Sequence, residues 1–373
     1  MPSRILVVFG TRPEAIKLFP VVNELRKQSE CTVRVCVTGQ HRDLLDQVLD
    51  ISGIIPDIDL DIMQHNQPLD ELVARMLVAL GHTMDREKPD QIIVQGDTAT
   101  AMTAALAGYH RKIPVSHVEA GLRSGNIYEP WPEEVARKLI SIIAFNHFAP
   151  TQRAADALLA ERTPADRIFI TGNTVVEALL ATVDKIMTEP QRVANLTPLI
   201  DRFANKRIIL VTSHRRENLG AGMLQIADAI RTLADRGDVA IIFPIHPNPN
   251  VHEAFKTRLA NHPAIALIEP QDYLHFVHLL SVAYLVLTDS GGVQEEAPSL
   301  GKPVLVLRNV TERPEGIDAG TARLVGTDKN AIVDHANNLL DNAESYLAMS
   351  KAHNPYGDGL ASKRIAKVLI NEI

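Results

Sequence analysis

The sequence predicts an α/β protein made of two doubly wound domains. Three observations carry that reading. Short apolar runs recur along the 373-residue chain, each followed by a longer helix-like pattern. The runs are rich in Val, Ile and Leu and do not alternate with polar residues, as strands read when helices cover both faces of a parallel sheet. A stretch rich in Gln, Asn, Thr, Pro and charge, 187–206, separates two sets of runs.

The first set is Arg4–Phe9, Val33–Val37, Gln91–Gln95, Pro114–Val118, His147–Pro150 and Arg167–Thr171. The second is Arg207–Thr212, Val239–Pro244, Ala264–Ile268, Tyr284–Thr288, Pro303–Leu307 and Arg323–Val325. Six strands are thus expected on each side. A domain break is expected at Gly172-Asn173, giving domains 1–172 and 173–360. The amphipathic segment 361–373 is expected to be a helix that joins the first domain. A chain this long can fill both cores without a disulfide or metal staple.

Composition narrows the function. Hydrophobic residues make up 46% and charged residues 22%, an ordinary globular profile. With 38 Lys+Arg against 45 Asp+Glu, the net charge of −7 argues against a nucleic-acid or anionic-membrane partner. It leaves room for a local basic pocket holding one small anion. Aromatics at 4% are too few for base-stacking platforms. Cys31 and Cys36 lie five apart on an expected strand and point to opposite faces. They fit neither a disulfide nor a shared metal, and a reducing, cytoplasmic setting is expected. The first apolar run is too short for a signal peptide, and no run reaches the ~20 residues of a membrane span.

In open parallel sheets, ligands bind beyond the carboxyl ends of the strands. The first strand ends in Gly10-Thr11-Arg12-Pro13-Glu14-Ala15-Ile16-Lys17. Gly10 suits a tight turn, Pro13 and Glu14 suit a first helical turn, and Arg12 with Lys17 could clamp a phosphate. An ordinary strand-to-helix turn with solvated charges reads the same way. Asp97 follows the third run and Glu119 the fourth, so two acids stand at neighbouring strand ends. Asp97 is also a natural helix cap; Glu119 is a poor one, which makes it the sharper signal. In Trp131-Pro132-Glu133-Glu134-Val135-Ala136-Arg137, Glu133 and Arg137 are four apart and share a helix face. A capped helix start with a surface ion pair fits that spacing equally well.

In the second domain, Ser213-His214-Arg215-Arg216 forms a basic spot in an acidic protein and reads as an anion site. His246 in Ile245-His246-Pro247 lies on a rigid loop. His275 and His278 lack a third ligand and read as structural, and no cluster has metal spacing. The most specific local signal is Asp289-Ser290-Gly291-Gly292-Val293-Gln294-Glu295-Glu296. The glycines let an anion approach backbone N–H groups at a helix start, and Glu296 could accept from ribose hydroxyls. Neither G-x-G-x-x-G nor G-x-x-x-x-G-K-[ST] occurs, which disfavours a nicotinamide dehydrogenase or a P-loop NTPase.

Taken together, these motifs resemble the non-hydrolysing bacterial UDP-N-acetylglucosamine 2-epimerases, from the first strand to Asn354-Pro355-Tyr356-Gly357-Asp358-Gly359. The resemblance implies a glycosyltransferase-B type fold, with two Rossmann-like domains and the active site in the cleft between them. It implies reversible conversion of UDP-GlcNAc to UDP-ManNAc through UDP and 2-acetamidoglucal, feeding surface polysaccharide synthesis, with neither metal nor other cofactor. It also implies a homodimer activated by UDP-GlcNAc itself. Carried over by motif, Asp97, Glu119, Glu133 and His214 are catalytic. Arg12, Lys17, Arg137, Gln271, Phe276, Ser290, Gly291, Gly292, Glu296 and Arg313 bind substrate. Gln40, His41, Arg215 and His246 belong to the regulatory region. A glycosyltransferase of the same fold, a hydrolysing epimerase and a nucleotide-sugar sensor remain alternatives. Three acids beside an anion site argue against the sensor, because binding a dianion gains nothing from them.

Overall fold

The apolar runs form two parallel sheets in the computed structural model, which describes residues 2–39, 42–64, 67–215, 218, 220–245 and 249–371. The chain divides into two units, Met1–Ala178 with Tyr356–Ile373, and Leu179–Pro355.

In the first unit the strands are β1 (Ser3–Phe9), β2 (Cys31–Val37), β3 (Ile58–Asp59), β4 (Gln91–Gln95), β5 (Val115–Val118), β6 (Asn146–Ala149) and β7 (Ile168–Ile170). Their order is β3-β2-β1-β4-β5-β6-β7. The second unit holds β8 (Arg207–Thr212), β9 (Val239–Pro244), β10 (Ile265–Ile268), β11 (Leu285–Thr288), β12 (Val304–Val306) and β13 (Ala322–Leu324). Their order is β10-β9-β8-β11-β12-β13. The first sheet therefore has seven strands, not six. The extra one, β3, is a two-residue edge strand with no apolar run to announce it.

Each sheet reverses its winding once, between β1 and β4 and between β8 and β11. Those switch points open a crevice at the carboxyl ends of the strands. The cores explain why the runs are unbroken. Leu6, Val8, Ile92 and Val94 pack with Met76, Leu80 and Ala104 in the first unit. Ile209, Val211, Ile241 and Leu285 pack with Ile226 and Ile230 in the second. Each of these Val, Leu, Ile and Met side chains contributes about 1.5–3 kcal/mol on burial.

Polar residues start the helices that follow. Thr98 caps Ala99–Tyr109, Thr151 caps Gln152–Ala160, Asp272 caps Tyr273–Val282 and Asp328 caps Lys329–Asp341, each accepting from a backbone N–H inside its helix. The C-terminal helix Ala361–Asn371 belongs to the first unit. The Ser362 N–H donates to Glu177 at 2.6 Å, and Arg364 donates to the Thr171 carbonyl at 3.0 Å. Cys31 and Cys36 are free and buried on β2, and burial pushes the Cys36 thiol up to about 12. Among the described residues no helix is long and apolar enough to cross a membrane.

Candidate active site

In the first unit, β1 runs directly into the helix Arg12–Leu25 through Gly10 and Thr11. A Cβ on Gly10 would lie 2.0 Å from Thr38 Oγ1, so only glycine fits this turn. The turn delivers Arg12 half-buried, with no ion-pair partner among the described residues. One helical turn on, Lys17 Nζ lies 2.5 Å from Glu119 Oε2. The Asn173 side-chain amide donates to the same oxygen at 3.0 Å.

Glu119 follows β5 with φ 63°, a left-handed backbone that costs a non-glycine residue roughly 1–3 kcal/mol. Strain of that kind persists where the surroundings over-determine a conformation. Here the Lys17 ammonium and the Asn173 amide both hold the carboxylate that the strained residue presents.

Asp97 follows β4 after Gly96, whose φ is 69°. It takes a charge-assisted hydrogen bond from Arg137, whose other nitrogen donates to Glu134 Oε2 at 3.2 Å. The spacing of Glu133 and Arg137 invited an ion pair between them. Instead Arg137 pairs with Glu134 three residues back and with Asp97 across the sheet. Glu134 is fully buried and also accepts from the Ser124 N–H at 3.1 Å. Glu133 opens the helix Glu133–Ile143, with one carboxylate oxygen buried and unpartnered among the described residues.

In the second unit the organiser is Asp289, directly after β11 and fully buried. It accepts from Ser213 Oγ, from the His214 and Arg215 N–H groups and from Asn218 at 2.9–3.2 Å. Its Oδ1 lies 3.2 Å from His214 Nδ1. Burial raises the Asp289 carboxyl pKa, but the hydrogen bonds and His214 outweigh it, so the group is held below the ordinary carboxylate range.

Ser290 then leads into the short helix Gly291–Glu296. Glu312 Oε1 and the Arg313 guanidinium lie within 4 Å of the Cβ position of Gly291, which puts Arg313 at that helix start. Arg313 is anchored by buried Glu295, and Glu312 receives both Arg308 and Arg215, the latter at 3.1 Å. Glu296 is buried and accepts from the Tyr273 hydroxyl at 3.1 Å. Phe276 lies on the helix Tyr273–Val282 that brings this tyrosine, and Gln271 just precedes it, donating to the Glu269 carbonyl.

The structure thus groups Asp97 with Arg137, and Glu119 with Lys17, in the first unit. It groups Arg215, Gly291 and Arg313 in the second, with His214 held by Asp289 and Glu296 by Tyr273. It brings Glu133 to none of these partners. Gln40, His41 and His246 lie outside the described residues. His275 spends both ring nitrogens on Asp272 and Asn195, as a structural histidine would. Two holding contacts escaped the sequence reading: Asn173 on Glu119, and the hub role of Asp289. Asp289 alone carried a visible signal, an acid between a strand end and Ser-Gly-Gly.

Comparison with known proteins shows the family. The family model for UDP-N-acetylglucosamine 2-epimerase matches residues 23–370. A Yersinia pestis protein named UDP-N-acetylglucosamine 2-epimerase is 52% identical over 373 residues, covering 99% of this chain and 98% of its own length. The crystal structure of the Neisseria meningitidis UDP-GlcNAc 2-epimerase bound to UDP-GlcNAc is 46% identical, with a TM-score of 0.90, covering 99% of this chain and all of that one. The Methanocaldococcus jannaschii enzyme in complex with UDP-GlcNAc and UDP is 34% identical with a TM-score of 0.81, each chain covered to 99%. The fold is therefore of the glycosyltransferase-B type. Matched from strand end to strand end at about half identity, the chain belongs to the UDP-N-acetylglucosamine 2-epimerase family.

Proposed function

We propose that this chain interconverts UDP-N-acetylglucosamine and UDP-N-acetylmannosamine by eliminating UDP and adding it back. The observation that carries the proposal is the pair of strand-end carboxylates, Asp97 and Glu119, each held by its own cation in a member of this family. The C2 proton of the sugar is not acidic in the ground state. As the C1–O bond to UDP breaks, positive charge grows at C1 and the C2–H bond weakens.

One carboxylate takes the proton while the bonding electron pair leaves with the β-phosphate oxygen, giving UDP and 2-acetamidoglucal with a C1–C2 double bond. Return of a proton to the opposite face of C2, with UDP adding at C1, completes the change. Asp97 and Glu119 are the proton-handling groups, and Glu133 assists or positions. Arg12, His214 and the N–H groups at Ser290-Gly291-Gly292 stabilise departing UDP. Lys17 and Arg137 hold the two acids, Glu296 binds the ribose, Gln271 and Phe276 border the uracil, and Arg313 adds a cation at the phosphates.

The chain works as a homodimer in a reducing cytoplasm. Val135, Leu139 and Ile142 support the dimer: they form one exposed face of the helix Glu133–Ile143, Ile142 being 82% exposed. Light scattering at twice 41.0 kDa is expected, and a 41.0 kDa particle would remove this face as an interface.

The primary test is NMR of the protein with UDP-GlcNAc in D2O. Deuterium entering C2 of both epimers is expected. Free ManNAc with UDP would mean a hydrolysing enzyme instead, and no reaction would mean a transferase or a binder. Regulation by UDP-GlcNAc, through Arg215 and its neighbours, predicts that a trace of it accelerates turnover begun from UDP-ManNAc.

A further inference from the structure

Glu14 is a carboxylate with no exposed surface, in the first turn of the helix Arg12–Leu25. Burial of a charge costs several kcal/mol unless it is fully hydrogen-bonded. A capping box needs only local bonds, and Glu14 has them. Its Oε2 accepts from the Gly10 N–H at 3.0 Å, the Thr11 N–H at 2.8 Å and the Thr11 hydroxyl at 2.8 Å. Its other oxygen does something a capping box does not require. Oε1 accepts from the Thr98 hydroxyl at 2.6 Å, across 84 residues of chain. Thr98 in turn accepts from the Ala101 N–H at 3.0 Å and starts the next helix.

β1 and β4 are neighbours in the sheet, so these are the two loops at its switch point. The first carries Arg12 and the second carries Asp97. We propose that Glu14 is a positioning residue: one buried carboxylate locks the loop that carries Arg12 to the loop that carries Asp97. Burial raises the Glu14 carboxyl against the opposing pull of these four donors. This inference rests on the reaction proposed above for its kinetic consequence, and on geometry alone for the lock.

The test uses the full chain and separates the two. Thr98→Val removes the cross-loop donor and leaves Glu14 in place. Thr98→Ser restores it. Thr151→Val is the control, since it deletes a helix cap of the same type, bonded to Ala154 N–H, on a different loop. If the lock holds, Thr98→Val speeds hydrogen exchange at the Gly10 and Thr11 amides, which Thr98 does not touch, and Thr98→Ser and Thr151→Val do not. In turnover of UDP-GlcNAc, Thr98→Val lowers kcat ~10-fold and Glu14→Gln ~100-fold, with KM moved little, because a misplaced group costs the chemical step more than binding. Thr98→Ser recovers the rate.

Unchanged exchange at Gly10 and Thr11 in Thr98→Val overturns the lock, whatever the activity. A kcat for Thr98→Val equal to that of Thr151→Val overturns the positioning role. A wild-type protein that leaves UDP-GlcNAc unchanged overturns the proposed reaction instead, and the exchange result still decides the lock.

Discussion

The strand ends of the two units use carboxylates in opposite ways. In the first unit the Asp97 side chain is 29% exposed and that of Glu119 8%, and the cations Arg137 and Lys17 serve to hold these acids. In the second unit Asp289 and Glu295 are buried, and the acids serve to hold the donors: His214 and the loop beneath it, and Arg313. Of these four acids only Asp97 keeps substantial exposure, and the pairs differ in which partner is held. An acid fixed at a strand end by a cation is positioned to exchange a proton. An acid sunk under a histidine or arginine fixes that group to meet an anion. Under the proposed function, the first unit's pairs serve proton chemistry and the second's grip the nucleotide.

The sharpest way to break that contrast is to neutralise one acid in each unit and read rate and affinity separately. Asp97→Asn keeps the size and still satisfies a hydrogen bond, but it cannot take a proton. Turnover is expected to fall ~100-fold or more, with UDP affinity by calorimetry changed by less than about threefold. Glu296→Gln in the second unit should do the reverse. The amide keeps an acceptor for the Tyr273 hydroxyl but loses the charge-assisted bond to the ribose that the proposed function assigns to Glu296. UDP affinity is expected to weaken ~10-fold, about 1.4 kcal/mol, with turnover at saturation nearly preserved. If Asp97→Asn lost affinity and rate equally, or Glu296→Gln lost rate alone, the division of labour would be wrong.

Much of the fold was legible in the sequence because parallel strands buried on both faces must be continuous apolar runs. Gln91–Gln95, Arg207–Thr212 and Val239–Pro244 are strands residue for residue. β3 was not legible: two residues after Pro56-Asp57 pair only with the end of β2, and so short a strand has no periodicity. The candidate site was legible in position, since Asp97, Glu119 and His214 stand just after strands and each meets a partner that can carry the opposite charge. It was illegible where the partner is chosen by tertiary contact. Spacing places Arg137 on the face of Glu133, but spacing cannot tell that Asp97 and Glu134 claim the guanidinium. Glu14 reads as a helix-start acid because its local bonds are those of one. Its bond to Thr98 exists only once β1 and β4 lie side by side. Asn173 reaches Glu119 for the same reason.

The smallest expected effect sharpens the contrast from below, since the first unit also buries groups that must stay uncharged. His117 on β5 is fully buried, with Nε2 2.7 Å from the Gly96 carbonyl, just before Asp97. Burial pushes its pKa down to about 3, despite the Gly96 carbonyl, and that of His147 on the neighbouring strand down to about 4. The folded pKa lies below the unfolded value of 6.5, so between these values the unfolded chain binds more protons. Stability from a neutral His117 is complete above pH ~6.5 and is lost as pH falls from there toward the folded pKa. Wild-type unfolding free energy from urea titration should therefore drop by about 1 kcal/mol more than that of His117→Gln between pH 7.5 and 5.5. Parallel curves for the two proteins would mean that His117 titrates in the fold as it does in the unfolded chain. Below pH ~6.5 the turn presenting Asp97 would then contain a buried imidazolium, a cation beside that acid in addition to Arg137.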